Sequence, residues 1–152
     1  RVGLIEDGAS RLGIRIITAM QNDASKFNAE LPQADRVLCD VPCSGLGVIR
    51  RKPEIKFKSP SDFDGLPEIQ YQILETSARY VKPGGTLVYS TCTLSRAEND
   101  EVAKRFAAAH PEFLPIVQPV PYAEAAGDPT RTYCPDENGG DGFFTASFRR
   151  VK

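Results

Sequence analysis

The sequence offers one histidine, His110, and four cysteines, Cys39, Cys43, Cys92 and Cys134. A single histidine gives little to a zinc site, and the cysteine spacing matches no zinc pattern, so no metal is expected. Two disulfides are arithmetically possible. The chain is neither small nor cysteine-dense, however, and free thiols in a reducing cytoplasm are the better reading. No apolar run approaches the ~18 residues of a membrane span, and no signal peptide is visible. Repeats and low-complexity tracts are absent as well. The formal net charge is −1, so there is no global basic field, and any nucleic-acid binding needs a local patch. What remains is 152 residues, 41% hydrophobic and 26% charged, as expected for one soluble globular domain. The chain opens on Arg1 rather than on a methionine, which suggests a fragment or a processed form.

Hydrophobic spacing predicts a helix over residues 1–12, on Val2, Ile5, Ala9 and Leu12, stopped by a left-handed Gly13. Ile14 to Thr18 is short and β-branched and reads as a buried strand, with Asp23 in the loop beyond it. A second strand runs from Arg36 to Cys39. Pro67 opens a helix whose apolar stripe is Ile69, Ile73, Leu74, Ala78 and Val81. Lys82-Pro83-Gly84-Gly85 breaks the chain before a third strand, Thr86 to Thr91. Ser95 and Glu98 read as a capping box ahead of a helix carrying Val102, Phe106 and Ala109, closed by His110-Pro111. Phe113 to Val120 is extended but proline-bearing, which favours a sheet edge. Residues 121–140 read as a long polar loop without an assigned role, and the tail GFFTASFRR alternates Phe144, Ala146 and Phe148 onto one face. Strands separated by helices imply a parallel sheet with helical crossovers, and the two late strands, joined by a loop, imply an antiparallel pair. The fold class is α/β, part of a doubly wound sheet.

The stretch Arg36–Lys52, RVLCDVPCSGLGVIRRK, carries the most chemistry. An apolar strand ends on Asp40, then Pro42 and Cys43 lead into a flexible Ser44–Gly47 segment and a basic triplet. Open α/β sheets build sites at the carboxyl ends of their strands. Cys92 ends the third strand on the same edge, so Asp40, Cys43 and Cys92 can converge. A thiolate is a strong nucleophile, favoured by a positive or dipolar setting, and a helix starting at Ser95 would supply one. Singly, each feature has a plainer reading. A cysteine at a strand end is more often a small buried residue, Asp40 and Asp23 can be turn formers, and a basic cluster is most often a solvated face. The co-occurrence of DVPCSG and STCT is what raises the functional reading. A protease-like Cys–His pair would need His110, at the far end of its helix. The glycine-rich turn that usually follows the first strand of a nucleotide-binding sheet does not precede Ile14, and Gly45-x-Gly47 is a weak match to it.

At these residues the sequence resembles the RNA cytosine-5 methyltransferases of the Nol1/Nop2/Sun group. Asp40-Val41-Pro42-Cys43-Ser44-Gly45, with Gly47-Val48-Ile49-Arg50-Arg51-Lys52-Pro53, is similar to the group's motif IV. Gly84–Thr93, with Glu98-Asn99 beyond, is similar to its motif VI, and Asp141-Gly142-Phe143-Phe144 to its terminal strand signature. Within the group the resemblance is greatest to the bacterial 16S rRNA methyltransferases of the Sun (RsmB) type, through GVIRRKPEIK. The resemblance implies a Rossmann-like class I methyltransferase sheet, partial and lacking the first strands, with residues 1–152 the C-terminal part of a single S-adenosylmethionine-dependent catalytic domain.

It also implies a reaction. A cysteine thiolate adds to C6 of a cytosine in RNA, C5 takes the methyl group of S-adenosylmethionine, and loss of the C5 proton releases the thiol. Carried over, Cys92 is the attacking thiol, Cys43 assists release, and Asp40 bonds the cytosine edge or the cofactor. Asp23 and Pro42 join Asp40 in holding the cofactor, and Arg50, Arg51 and Lys52 suit RNA phosphates near an unstacked base. Chemistry alone does not choose between Cys43 and Cys92, because DNA cytosine-5 methyltransferases use the cysteine of a Pro-Cys motif. The Thr-Cys-Thr context favours Cys92 and RNA. Because the group's glycine-rich cofactor loop is missing from this sequence, the chain alone is expected to bind S-adenosylmethionine weakly or not at all and to be inactive by itself. Its exposed sheet edges would favour self-association. Two other readings stand beside the enzyme: a catalytically silent RNA-binding or scaffold module, and a thiol hydrolase that lacks a suitable histidine. A cytoplasmic location is expected, and nothing distinguishes ribosomal from transfer RNA.

Overall fold

The computed structural model describes residues 2–117 and 129–152. Helix α1 (Val2–Arg11) is followed by β1 (Ala34–Asp40), then by three 3-10 turns at Leu46–Val48, Pro53–Phe57 and Pro60–Phe63. Helix α2 (Leu66–Ala78), β2 (Val81–Thr91), α3 (Asp100–Ala109), β3 (Phe113–Pro115), β4 (Thr130–Tyr133), α4 (Pro135–Asn138) and β5 (Phe143–Arg150) complete the order.

β1 and β2 pair in parallel, with α2 as the crossover between them, as the strand–helix–strand pattern implies. β5 lies antiparallel on the other side of β2, Thr86 opposite Arg149 and Thr91 opposite Phe144. β3 and β4 share the outer edge of β5: β4 lies opposite Phe143–Ala146 and β3 opposite Phe148–Arg150. The order β1-β2-β5-β3 is an open α/β sheet of the Rossmann-like class I type. Because β1 and β2 are parallel, their carboxyl ends, Asp40 and Thr91, sit on one edge.

Alternation places Leu87, Tyr89 and Thr91 of β2 and Phe144, Ala146 and Phe148 of β5 in the interior. Helices α2 and α3 cover them with Tyr71, Leu74, Ala78, Val102, Ala103 and Phe106. Phe106 is the hinge of this packing, meeting Phe113 and Phe148 edge-on at ring distances of 5.4 and 5.0 Å.

Several sequence expectations are corrected. Ile14–Thr18 forms no strand, and Ile16 is 95% exposed. β-Branched composition becomes a strand only beside a partner, and no described strand lies next to this segment. Ile69 is 46% exposed, whereas Gln70, one residue on, is buried in its place because its amide has buried partners at the site. Lys82–Gly85 does not break the strand. It stands out of β2 as an irregularity, with Val81 opposite Ala34 and Thr86 opposite Arg36. β4 and α4 arise inside what reads as loop. The extended segment stops at Pro115, while residues 118–120 and the 121–128 part of the polar loop lie outside the described residues. The α1 helix does end as expected, ahead of Gly13 at φ +68°. Among the described residues no helix is long and apolar enough to cross a membrane.

Candidate active site

The two parallel strand ends deliver two thiols to one point. Cys43 Sγ and Cys92 Sγ lie 2.9 Å apart, both half-buried and free, and the Cys92 N–H donates to Cys43 Sγ at 3.3 Å. Backbone bonds fix the two loops to each other. The Gly47 N–H donates to the Cys92 carbonyl at 3.0 Å, and the Gly142 N–H to the Gly47 carbonyl at 2.8 Å. Gly47 must be glycine. A Cβ there would fall on the Gly142 carbonyl oxygen and 2.9 Å from the Cys92 carbonyl oxygen, both backbone atoms. Gly47→Ala is therefore expected to destabilise the protein by about 3 kcal/mol, the upper part of the overpacking range, and to cut activity by prising the cysteine loops apart. Urea unfolding that left the midpoint of Gly47→Ala unchanged would contradict this close contact.

Beneath the thiols runs a buried polar network that sequence reading misassigns. Glu98 is 2% exposed. Its carboxylate accepts the Ser44 N–H at 2.9 Å, the Ser44 hydroxyl at 2.6 Å and the Gln70 amide at 2.9 Å. With the Ser44 proton committed to Glu98, the Thr93 hydroxyl is the donor in its 2.7 Å bond to Ser44 Oγ. Gln70 also donates to the Pro42 carbonyl at 2.9 Å, and the buried Tyr89 hydroxyl donates to the Glu98 carbonyl at 2.6 Å. Asn99 accepts from Thr91 at 2.6 Å and donates to the Thr93 carbonyl at 2.9 Å. The residues flanking Cys43 and Cys92 thus hang from one carboxylate, Glu98, and two carboxamides, Gln70 and Asn99.

The predicted capping box does not form. Helix α3 begins at Asp100 after Asn99, which makes no side-chain cap, and Glu98 serves the buried donors instead. Three buried donors hold Glu98, and the Ser95 N–H finds the Thr93 hydroxyl oxygen at 3.2 Å instead. It follows that no helix starts at Ser95, and the dipolar assistance expected for Cys92 from that position is not there. His110 closes α3 between Glu75 and Glu112, at 3.4 and 3.2 Å. The signals available for the missed residues were an S-x-x-E pattern with a second meaning and a glutamine on an apolar helix stripe.

Burial pushes the Cys43 thiol up to about 12, reinforced by its hydrogen bond to Cys92. Cys39, buried in the core, is pushed up to about 11 by burial and serves packing. Burial likewise raises the Tyr89 hydroxyl, which stays a donor.

The remaining predicted residues divide by place. Asp40 and Pro42 are exposed on the open strand edge beside Cys43, and the Asp40 carboxylate has no partner among the described residues. Asp23 lies in an exposed turn, where hydrogen bonds from Ser25 and Lys26 hold its carboxyl below the ordinary value. Nothing links it to Asp40 or Cys43 among the described residues. Arg50 donates to the Gly139 carbonyl at 3.1 Å and Arg51 pairs with Asp141, so both tie the glycine loop to the approach to β5. Lys52 is exposed.

Two thiols in contact at parallel strand ends, above a polar network, frame the comparison with known proteins. The family model for "16S rRNA methyltransferase RsmB/F" matches residues 1–149. The chain belongs to this family. It is 47% identical over 99% of its length to the probable ribosomal RNA small subunit methyltransferase B of Bacillus subtilis. It is 41% identical over 94% of its length to the methyltransferase B of Thermus thermophilus. In both cases the chain spans 35% of the relative's own length. Among solved structures, it matches PH0851 with a TM-score of 0.88 at 32% identity, covering 97% of this chain and 34% of that one. It matches NSun6 from Pyrococcus horikoshii, solved with SFG, with a TM-score of 0.84 at 28% identity, covering all of this chain and 39% of that one.

Proposed function

We propose that this chain carries the thiol half of the catalytic domain of an RNA methyltransferase, which transfers a methyl group from S-adenosylmethionine to C5 of a cytosine, in ribosomal RNA. The observation that carries this reading is the contact of Cys43 and Cys92, at 2.9 Å, on the one edge where an open α/β sheet places its chemistry. Family membership supports an rRNA substrate, and SFG, an S-adenosylmethionine analogue, in the NSun6 structure supports the cofactor.

Cytosine C5 is a poor nucleophile. Addition of the Cys92 thiolate to C6 forms a carbon–sulfur bond and makes C5 enamine-like. When bound, S-adenosylmethionine supplies an electrophilic methyl group to that carbon. Loss of the C5 proton then reforms the C5–C6 double bond and expels Cys92 as a thiolate. We assign the proton of the Sγ–Sγ contact to Cys43, whose thiol burial pushes up, so that it donates to the Cys92 sulfur and stabilises the thiolate before addition and after expulsion. Asp40, exposed and unpartnered, is placed to bond the N3/N4 edge of the base or the cofactor. Asp40 and Pro42 fit a cofactor lying along the strand edge, and Asp23, in its exposed turn, keeps acceptor capacity beyond its bonds to Ser25 and Lys26. Lys52 and the exposed faces of Arg50 and Arg51 are available to phosphates.

A silent scaffold gives no reason for two thiols in contact on a dedicated buried network. The test is direct. The full-length protein, incubated with S-adenosylmethionine and unmodified 16S rRNA, is expected to produce 5-methylcytosine, read by nuclease digestion and mass spectrometry. Methylation at N4, or none in the presence of demonstrable RNA binding, would overturn the reading.

A further inference from the structure

Phe57 is 90% exposed, an unusual position for a large apolar ring on a fixed turn. The turn that carries it is anchored. Pro53 sets its first residue, the Lys58 N–H closes it on the Ile55 carbonyl at 3.2 Å, and Ile55 is buried against the active-site loop. A Cβ on Gly45 would lie 2.9 Å from Ile55 Cδ1, which measures how closely the turn packs on the segment that begins at Cys43. Phe57 is thus rigidly tied to the cysteine loop, facing solvent.

Its surroundings are cationic. Residues 50–58 hold five cations and one acid, Glu54, in a chain whose formal net charge is −1. Arg50 bonds the Gly139 carbonyl and Arg51 pairs with Asp141, both while remaining exposed. Lys52 and Lys56 have no partner among the described residues, and Lys58 lies 5.9 Å from the Phe63 ring. An apolar docking surface for another protein would extend over neighbouring apolar groups, but the residues next to Phe57 in sequence are lysines. An exposed aromatic face between ammonium groups instead matches a strand of alternating bases and phosphates.

We infer that Phe57 is a stacking platform for an unpaired base of single-stranded RNA close to the reacting cytosine, with Lys56 and Lys58 holding the adjoining phosphates. The inference rests on the RNA reading above and adds a binding subsite to it. Stacking here would fix an RNA backbone already opened at the target base, at the point where an unstacked base has lost its neighbours.

The test uses the full-length protein and a fluorescein-labelled single-stranded 12-nucleotide RNA containing one cytosine. F57A is expected to weaken binding about 5- to 150-fold, as for loss of one stacked base, and to raise KM with kcat unchanged. Its urea midpoint should not move, since the ring is exposed. F57W should bind within about threefold of the parent. This chain has no tryptophan, so the emission that F57W adds over the parent reports on the site, and it should be quenched by the RNA. The double variant K56A/K58A should flatten the slope of log affinity against log salt by about 1.4, two single-strand phosphate contacts. If F57A binds RNA as the parent does, or if the added F57W emission is unaffected by RNA, the stacking role is wrong, RNA binding stands, and a protein partner becomes the alternative for this surface. If the parent itself binds no RNA, the RNA reading falls and this subsite with it.

Discussion

Cys92→Ala in the full-length protein is expected to abolish methyl transfer, by at least about 10⁴-fold, and to leave no covalent adduct with RNA carrying 5-fluorocytosine. Fluorine at C5 cannot leave as the proton does, so the adduct through sulfur accumulates in an enzyme that retains its nucleophile. Cys43→Ala is expected to behave differently, forming the adduct but releasing product slowly, so that adduct accumulates even with unmodified cytosine. The asymmetry follows from the geometry. Burial and the hydrogen bond to Cys92 push the Cys43 thiol up, which favours its protonated form. A sulfur held that firmly as a thiol is a poor attacker and a good donor to its neighbour 2.9 Å away. Denaturing gels of protein mixed with labelled RNA distinguish the roles. An adduct that survives Cys92→Ala and disappears in Cys43→Ala would exchange them, giving the arrangement in which the Pro-Cys cysteine attacks.

The second large effect is expected at Glu98. Replacement by alanine leaves the Ser44 N–H, the Ser44 hydroxyl and one bond of the Gln70 amide without their acceptor, in a site closed to bulk water. Each orphaned buried donor costs about 1–3 kcal/mol, so Glu98→Ala should lose about 3–5 kcal/mol, a large part of the 5–15 kcal/mol that holds an ordinary domain together. Glu98→Gln preserves the shape but sets a carboxamide N–H₂ against those donors, and about 2–4 kcal/mol should be lost. Chemical denaturation measures both. A midpoint unchanged in Glu98→Gln would mean that the donors find other partners and that the carboxylate does not organise the loops. Where the Glu98→Gln protein remains folded, its cysteines should be alkylated by iodoacetamide in a pattern different from the parent's, because Ser44 and Thr93 adjoin Cys43 and Cys92.

Much of the site was legible because its parts are local in sequence. DVPCSG and STCT announce themselves as strand ends by short apolar runs that stop on small or polar residues, and two such ends on a parallel sheet must meet. The alternation of Phe144, Ala146 and Phe148 was equally plain, since a strand with one buried face repeats every two residues. What failed were patterns with two physical meanings. Ile14–Thr18 has the composition of a strand, but a strand needs a neighbour. Ser95-x-x-Glu98 has the spacing of a capping box, but whether Glu98 turns to the helix or to Ser44 depends on a loop 54 residues earlier in the chain.

The sequence by itself determined the α/β class, the family motifs and the two cysteines, because each follows from residue type and short spacing. Only the tertiary structure decided the rest. It brought the two sulfurs into contact, through the parallel register of β1 and β2. It committed Arg50 and Arg51 to the loop before β5, and left Phe57 facing solvent on a turn whose other side is buried. Contacts between segments fifty or ninety residues apart leave no local pattern, since the partner that gives a side chain its role lies far away along the chain.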